Sequence, residues 1–95
     1  LGAVAIGEKA EKRWGFIDRT GTWVIRPAYT DADTFHEGLA AVKLNDRYGY
    51  IDKKGTFIIP PQFDEASLFS RGIAQVTVGG KEGFINKAGD IFTEP

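Results

Sequence analysis

Residues 48–61 read Tyr48-Gly49-Tyr50-Ile51-Asp52-Lys53-Lys54-Gly55-Thr56-Phe57-Ile58-Ile59-Pro60-Pro61, and related versions of this sequence occupy residues 14–27 and 82–95. The spacing between the copies is constant at 34 residues, since 48 − 14 and 82 − 48 are equal. Segments 14–47 and 48–81 are identical at twelve positions, glycines and apolar residues among them. A repeat of this kind usually cannot bury its own apolar face, so we expect neighbouring copies to pack on one another.

The residue pattern inside each copy indicates strands. The copies are rich in β-branched and aromatic residues, with Gly or Pro every few positions, which is typical of short strands and argues against the helix pairs that share this period. In the second copy the predicted strands are 39–44, 48–52 and 56–59. The links Asn45-Asp46 and Gly79-Gly80 tolerate positive φ, so we predict two-residue hairpin turns there.

Strand alternation assigns side chains to faces. Leu39 and Ala41 should lie on one face of their strand, and Ala40 and Val42 on the other. A glycine sits inside the second predicted strand of every copy, as in Gly49, although it costs roughly 0.5–1 kcal/mol relative to Ala. We therefore expect a structural cause, namely a neighbouring aromatic ring lying across the bare backbone.

The three copies predict a single domain, 1–95, with units at 1–27, 28–61 and 62–95. We predict an all-β fold in which three antiparallel three-stranded meanders stack as a short, twisted, solenoid-like array. Apolar residues recur at three-residue spacing in the connectors, as in Tyr29, Ala32 and Phe35. This spacing predicts short helical turns over 28–38 and 62–72, whose aromatic residues fill the space between units. A small closed barrel or a propeller-like arrangement is the alternative.

The signature Trp14-Gly15-Phe16-Ile17-Asp18-x-x-Gly21 resembles the WG repeat family, a bacterial β-rich repeat. Residues 48–55 carry the same signature with Tyr48 first. The downstream segment 61–74 matches as well, and so does 27–40 with Thr30 in place of the Asp. The resemblance covers essentially the whole chain. Departures are Tyr48 and Glu82 at the position of the Trp, and Asn86 in place of the Asp. The resemblance implies a β-repeat array, usually within a larger protein, and no defined activity.

Composition narrows the range of partners. The 95 residues include 12 basic and 13 acidic side chains with a net charge of −1, which gives no electrostatic reason to bind nucleic acid. There is no cysteine and no long apolar run, so we expect neither disulfides nor membrane insertion. The sequence also contains no methionine, which predicts an excised or processed segment. Its compartment, cytoplasm or cell envelope, stays open.

Three sets of polar residues could carry chemistry, and each has a simpler explanation. His36 is the single histidine and aligns with Ser70, so the repeat does not require it. Asp31, Asp33 and Glu37 only loosely match a calcium loop, because the central Gly and a further oxygen ligand are missing. Asp18 and Asp52 could form a glycosidase pair, but an Asp that accepts backbone N–H groups in a turn explains both. We predict no catalytic residue, no metal site and no cofactor.

The aromatic residues that recur at equivalent positions are the most informative feature of the sequence. They are Trp14 and Tyr48; Phe16, Tyr50 and Phe84; and Trp23 and Phe57. Among them, the candidate contact residues for a ligand or partner are Trp14, Trp23, Tyr48 and Tyr50, which either pack in the core or stay partly open. We predict a non-catalytic binding or scaffolding module with a protein partner. A carbohydrate or cell-envelope ligand that stacks on exposed aromatics is the alternative, and a hydrolase is the least supported reading. Exposed terminal strands also predict that copies could associate end to end.

Overall fold

Antiparallel β-sheets make up the computed structural model of the chain, which describes residues 2–7 and 12–92. In the described residues the first sheet contains β1 (Gly2–Ile6), β2 (Arg13–Ile17) and β3 (Trp23–Tyr29), in that order. The second contains β4 (Asp31–Ala32), β5 (Ala40–Leu44), β6 (Arg47–Ile51) and β7 (Phe57–Phe63), also in chain order. The third contains β8 (Glu65–Ala66), β9 (Ile73–Val78), β10 (Lys81–Asn86) and β11 (Ile91–Phe92). The ends of the predicted first and third units, residues 1 and 93–95, lie outside the described residues.

Two-residue turns close the central hairpins as predicted. Asn45 and Asp46 have φ values of 53° and 65°, and Gly79 and Gly80 have φ values of 58° and 81°. Two consecutive positive φ values match the twist of the flanking strands, which is why Asn, Asp and Gly are favoured there. The turn sets the register of the second sheet, in which Leu44 pairs with Arg47 and each earlier residue of β5 pairs with a later one of β6.

The connectors are extended, so the helical turns predicted for 28–38 and 62–72 are wrong. Strand β3 continues to Tyr29, and Asp31–Ala32 then adds an edge strand to the second sheet. The N–H groups of Thr30 and Asp33 donate to carbonyls of β5 at 3.0 and 2.9 Å. These backbone N–H groups find acceptors in the next sheet, so the connector does not need a helix to satisfy them. The second and third sheets therefore have four strands, not the three predicted.

The sheets stack face to face, and the core lies between them. We call the side of each sheet that carries Tyr48 and Tyr50, or the equivalent residues, its front, and the other side its back. The front of each sheet packs on the back of the next. The first interface buries Phe16, Ile25, Tyr29, Ala40, Val42 and Ile51. The second buries Leu39, Ala41, Tyr50, Ile59, Phe63, Phe69, Ala74, Val76 and Ile85.

This stacking confirms the predicted alternation, because Ala40 and Val42 belong to one interface and Leu39 and Ala41 to the other. The middle sheet is therefore apolar on both faces. None of the sheets in the described part of the chain closes on itself, so the closed-barrel alternative is wrong. The extents of 45 × 27 × 16 Å fit an open stack.

Backbone, not an aromatic ring, lies across the strand glycines, so that prediction is wrong. Tyr48 pairs with Phe63 and Tyr50 with Ile59, so β7 bulges opposite Gly49. A Cβ on Gly49 would lie 2.6 Å from the Ile59 carbonyl oxygen and 2.7 Å from the Pro61 nitrogen. Only glycine leaves room for this approach. Proline suits the crossing point because it has no N–H to be left without an acceptor.

Candidate functional site

Tyr50, one of the four candidate contact residues, lies inside the protein. Its side chain is fully buried between the second and third sheets. The ring makes edge contacts with Phe69 and Phe63, with centroid distances of 4.8 and 6.3 Å. Its hydroxyl donates to the Ser67 carbonyl oxygen at 2.6 Å, and burial raises the pKa of Tyr50. This ring therefore binds one sheet to the next.

Trp14 and Tyr48 lie at the rims of the two interfaces and are partly buried. The Tyr48 hydroxyl donates to the Asp31 carboxylate at 2.5 Å, which ties β6 to the edge strand β4. Burial, followed by this hydrogen bond, raises the pKa of Tyr48 to about 12. The Lys43 ammonium lies 5.7 Å from the centre of the Tyr48 ring, within the range of a cation–π contact. Both aromatics have partners within the chain.

Trp23 differs from the other three candidates because it lies on the outer face of the stack. It is 36% exposed at the start of β3. It lies on the back of the first sheet, because its pairing partner Ile17 occupies the position of the back-face residue Ile51. Ile6 lies on the same face and is 50% exposed. Together with the half-buried Val4 and Ile17, they form an outer surface of large apolar side chains, which we call the first back face.

The recurrent turn acids hold the turns in which they stand. A single Asp18 carboxylate oxygen accepts the Thr20 hydroxyl at 2.6 Å and the N–H groups of Thr20 and Thr22 at 2.9 and 3.0 Å. The hydroxyl bond, followed by the backbone bonds, lowers the pKa of Asp18. Asp52 makes the same backbone contacts, and Asn86 makes them through its amide oxygen. An Asn can replace the Asp because the turn needs only an oxygen acceptor.

Glu37 makes a contact between sheets that the sequence analysis missed. Its carboxylate accepts the backbone N–H groups of Arg71 and Gly72 at 2.5 and 2.8 Å and lies 3.3 Å from the Lys87 ammonium. The bond from Gly72 is the main cause of its lowered pKa. Residues 37 and 71 are equivalent in successive copies, so one turn holds the same turn of the next sheet. The equivalence of the two positions is the sequence signal for this contact.

The calcium-loop residues have separate partners. Asp31 accepts from Tyr48, and Asp33 accepts the Thr34 N–H at 2.8 Å. Within residues 2–7 and 12–92, no three His, Asp or Glu side chains are grouped so that they could hold a metal ion. His36 lies 2.9 Å from the Thr34 hydroxyl.

Two shallow grooves lie on the third sheet. One, of about 240 Å³, has a polar rim that includes Ser67, Gln75 and Glu82. The other, of about 270 Å³, is mainly apolar and includes Val78 and Ile91. None of the described segments forms a helix that could span a lipid bilayer.

A known protein family matches most of the chain. A family model described as WG containing repeat matches residues 14–48 and again residues 48–81. The two matches span more than half of the chain and meet at Tyr48, where the first and second copies join. No curated protein and no solved structure matches the chain.

Proposed function

The chain belongs to the WG containing repeat family, and we propose that it is a non-catalytic binding and scaffolding module that contacts a protein partner. In this proposal three copies of the repeat form a short solenoid-like array within a larger bacterial protein. Each sheet supplies shape and apolar surface, and the array presents that surface to the partner.

The third sheet supports a third copy beyond the two family matches. It repeats the hairpin of the second sheet, because Val76 pairs with Gly83 as Val42 pairs with Gly49. Asn86 closes the following turn as Asp52 does, and Gly89 has a φ of 88°, the same value as Gly55. The sequence difference at this turn therefore leaves the local geometry intact.

The first back face is the observation that carries the proposal of a protein partner. Trp23 and Ile6 are large apolar side chains, 36% and 50% exposed, on one outer face of a small domain. Ile6 pairs with Arg13 at one end of this face and Trp23 pairs with Ile17 at the other, with the half-buried Val4 between them. Apolar side chains that share one face mark interaction surfaces more often than apolar side chains scattered singly over a protein do. Tryptophan is also enriched among the residues that dominate binding energy at protein interfaces.

No observation favours a carbohydrate ligand to the same degree. Stacking on a sugar needs open aromatic rings, whereas Tyr50 is fully buried and Trp14 and Tyr48 are partly buried against the neighbouring sheet. Trp23, at 36%, is the candidate among the four that is exposed rather than buried or partly buried. A hydrolase would need a cluster of reactive groups in a cleft, whereas Asp18 and Asp52 each accept the N–H groups of their own turn.

The test is affinity capture with the chain and two variants. Trp23→Glu places a charge on the first back face. Val24→Glu is the matched control, because Val24 is 43% exposed in the same strand and belongs to neither core cluster. We expect proteins in a lysate of the source organism that bind the original chain and Val24→Glu but not Trp23→Glu. A Trp23-dependent signal from an oligosaccharide panel, with no protein captured, would contradict the proposal.

A further inference from the structure

We propose that the first back face docks the front of another WG-type sheet carried by a separate polypeptide segment. The front of the third sheet, where Gln75 and Glu82 replace Ala41 and Tyr48, is less suited to such docking. This inference rests on the proposed function, because it names the class of partner and the surface that takes it. The structure itself shows the kind of contact involved, since both internal interfaces join a front to a back.

The back faces are equivalent in all three sheets. Val4 and Ile17 correspond in sequence to Val42 and Ile51, which are fully buried because the front of the first sheet covers them. On the third sheet, Ile85 is likewise fully buried. On the first sheet Val4 and Ile17 are only half-buried. The back faces of the second and third sheets are thus apolar and covered by the preceding sheet. The back face of the first sheet carries the same apolar residues, but no sheet covers it in the described structure.

The turn glycines leave space on the back of each sheet for a side chain from another sheet. A Cβ on Gly55 would lie 3.3 Å from the Ile25 side chain, and one on Gly89 would lie 3.5 Å from the Ile59 side chain. Each glycine therefore packs against an isoleucine from the front of the preceding sheet. Gly21 is the equivalent residue of the first sheet, and no atom lies within 4 Å of its Cβ position. The first back face has room for one more such isoleucine.

The edge of the first sheet fits the same partner. Strands β5 and β9 each pair with a two-residue strand, β4 or β8, that follows the last long strand of the preceding sheet. In the described structure β1 is an edge strand that pairs with β2 alone. A docking sheet that continues into a connector such as Asp31–Ala32 would add a strand at this edge, so the backbone contributes to recognition together with the apolar face.

The front of the third sheet differs in chemistry from the fronts that pack inside the protein. Gln75 stands where the second sheet has Ala41, which is 2% exposed, and Glu82 stands where it has Tyr48. Docking would desolvate both polar groups. A second copy of this chain therefore offers a poor front, and the preferred partner is a WG sheet with a small residue and an aromatic at these two positions.

Arg71 supports the same conclusion from the turn. It occupies the position of Glu37, whose carboxylate accepts two backbone N–H groups of the next sheet. A guanidinium has only donors, so it cannot accept those bonds.

The experiment uses a probe made from the full chain. Gln75→Ala, Glu82→Tyr and Thr93→Ile give the third copy the residues that the second copy has at positions 41, 48 and 59. Ile6→Lys blocks the probe's own back face. We expect the probe to bind the immobilised original chain in biolayer interferometry. Its Kd for an immobilised Val24→Lys chain should differ from that value by no more than about twofold. Binding to a target with Ile6→Lys and Trp23→Glu should be at least about tenfold weaker, because the two substitutions remove two apolar contacts and place two charges in the interface. A tenfold change in Kd needs only about 1.4 kcal/mol. A control probe that carries Ile6→Lys but keeps the original front of the third sheet should not bind the immobilised original chain.

Urea unfolding of every variant, with a midpoint close to that of the original chain, establishes that each is folded. A folded probe that fails to bind the original chain overturns the inference. So does equal binding to the target with the altered back face. A dimer of the original chain that Ile6→Lys abolishes would show that back faces pair with each other, and it also overturns the inference. If lysate capture still yields a Trp23-dependent partner without WG repeats, the proposed function stands while this inference fails.

Discussion

Replacement of Gly49 by alanine should destabilise the protein because a backbone crossing occupies the space for the methyl group. The new Cβ would lie 2.6 Å from the Ile59 carbonyl oxygen and 2.7 Å from the Pro61 nitrogen. Overpacking of this kind costs about 1–3 kcal/mol, and backbone atoms yield less than side chains, so the upper end applies. Displacement of β7 also disturbs the fully buried Phe63, for which we add about 1 kcal/mol, a fraction of the cost of a full deletion. Alanine recovers about 0.5–1 kcal/mol of backbone entropy.

The net expectation is a loss of about 3 kcal/mol in the free energy of unfolding, a large part of the roughly 5 kcal/mol expected of a domain of this size. The melting temperature should fall by roughly 12–24 °C. Urea unfolding followed by tryptophan fluorescence and circular dichroism measures the effect. Gly2→Ala is the control, because Gly2 also lies in a strand and its Cβ position has no atom within 4 Å. Equal free energies of unfolding for the two variants would refute the backbone-crossing account.

Three further perturbations test contacts within and between the sheets. Bonding to backbone N–H groups lowers the pKa of Glu37 below its ordinary value of 4.5, so its stabilisation is present above that pH and is lost as the pH falls through the folded value; Glu37→Gln should flatten the acid dependence of urea unfolding, and an unchanged slope would contradict this. The pKa of Tyr48 is raised to about 12, so its stabilisation is present below pH 10 and is lost between about 10 and 12; Tyr48→Phe should reduce the alkaline loss of stability, and identical alkaline curves would count against the contact with Asp31. Phe69→Ala should cost about 3–5 kcal/mol and the exposed neighbour Leu68→Ala less than about 1 kcal/mol; similar chemical denaturation midpoints would exclude Phe69 as a packing element between sheets.

The sequence predicted the strands and turns well because their signals are local. Asn45-Asp46 and Gly79-Gly80 favour positive φ whatever surrounds them, and strand alternation fixed the faces of Ala41 and Val42. The strong turn residues and the period of two acted in the same direction, so local preference and tertiary packing agree in these segments.

The connectors and the glycines could not be predicted in the same way, because their structure depends on other sheets. The spacing of Tyr29, Ala32 and Phe35 imitates a helical stripe, although the three residues belong to a strand end, an edge strand and an extended loop. The cause of Gly49 lies in a bulge that pairing with β7 creates. The contact of Glu37 joins turns that are 34 residues apart.

The candidate site shows the same division. The sequence identified the aromatic residues but could not place them, because Trp23 and its counterpart Phe57 are both large aromatic residues at the same position of the repeat. Phe57 packs against the first sheet, whereas Trp23 lies on an outer face. Position in the stack decides which copy of a residue is available to a partner, and that position is a property of the assembled sheets.

The most direct test of the account is the unfolding of a chain that ends at Phe63, the last residue of β7. This truncation removes the third sheet and uncovers the front of the second, including Tyr50 and Ile59, which are 0% and 1% exposed in the full chain. If stacked neighbours stabilise each sheet, the shortened chain should lose its cooperative urea transition, and amide exchange in β5 and β6 should lose protection. A sharp transition with the midpoint of the full chain and unchanged protection would contradict the claim that the sheets depend on one another.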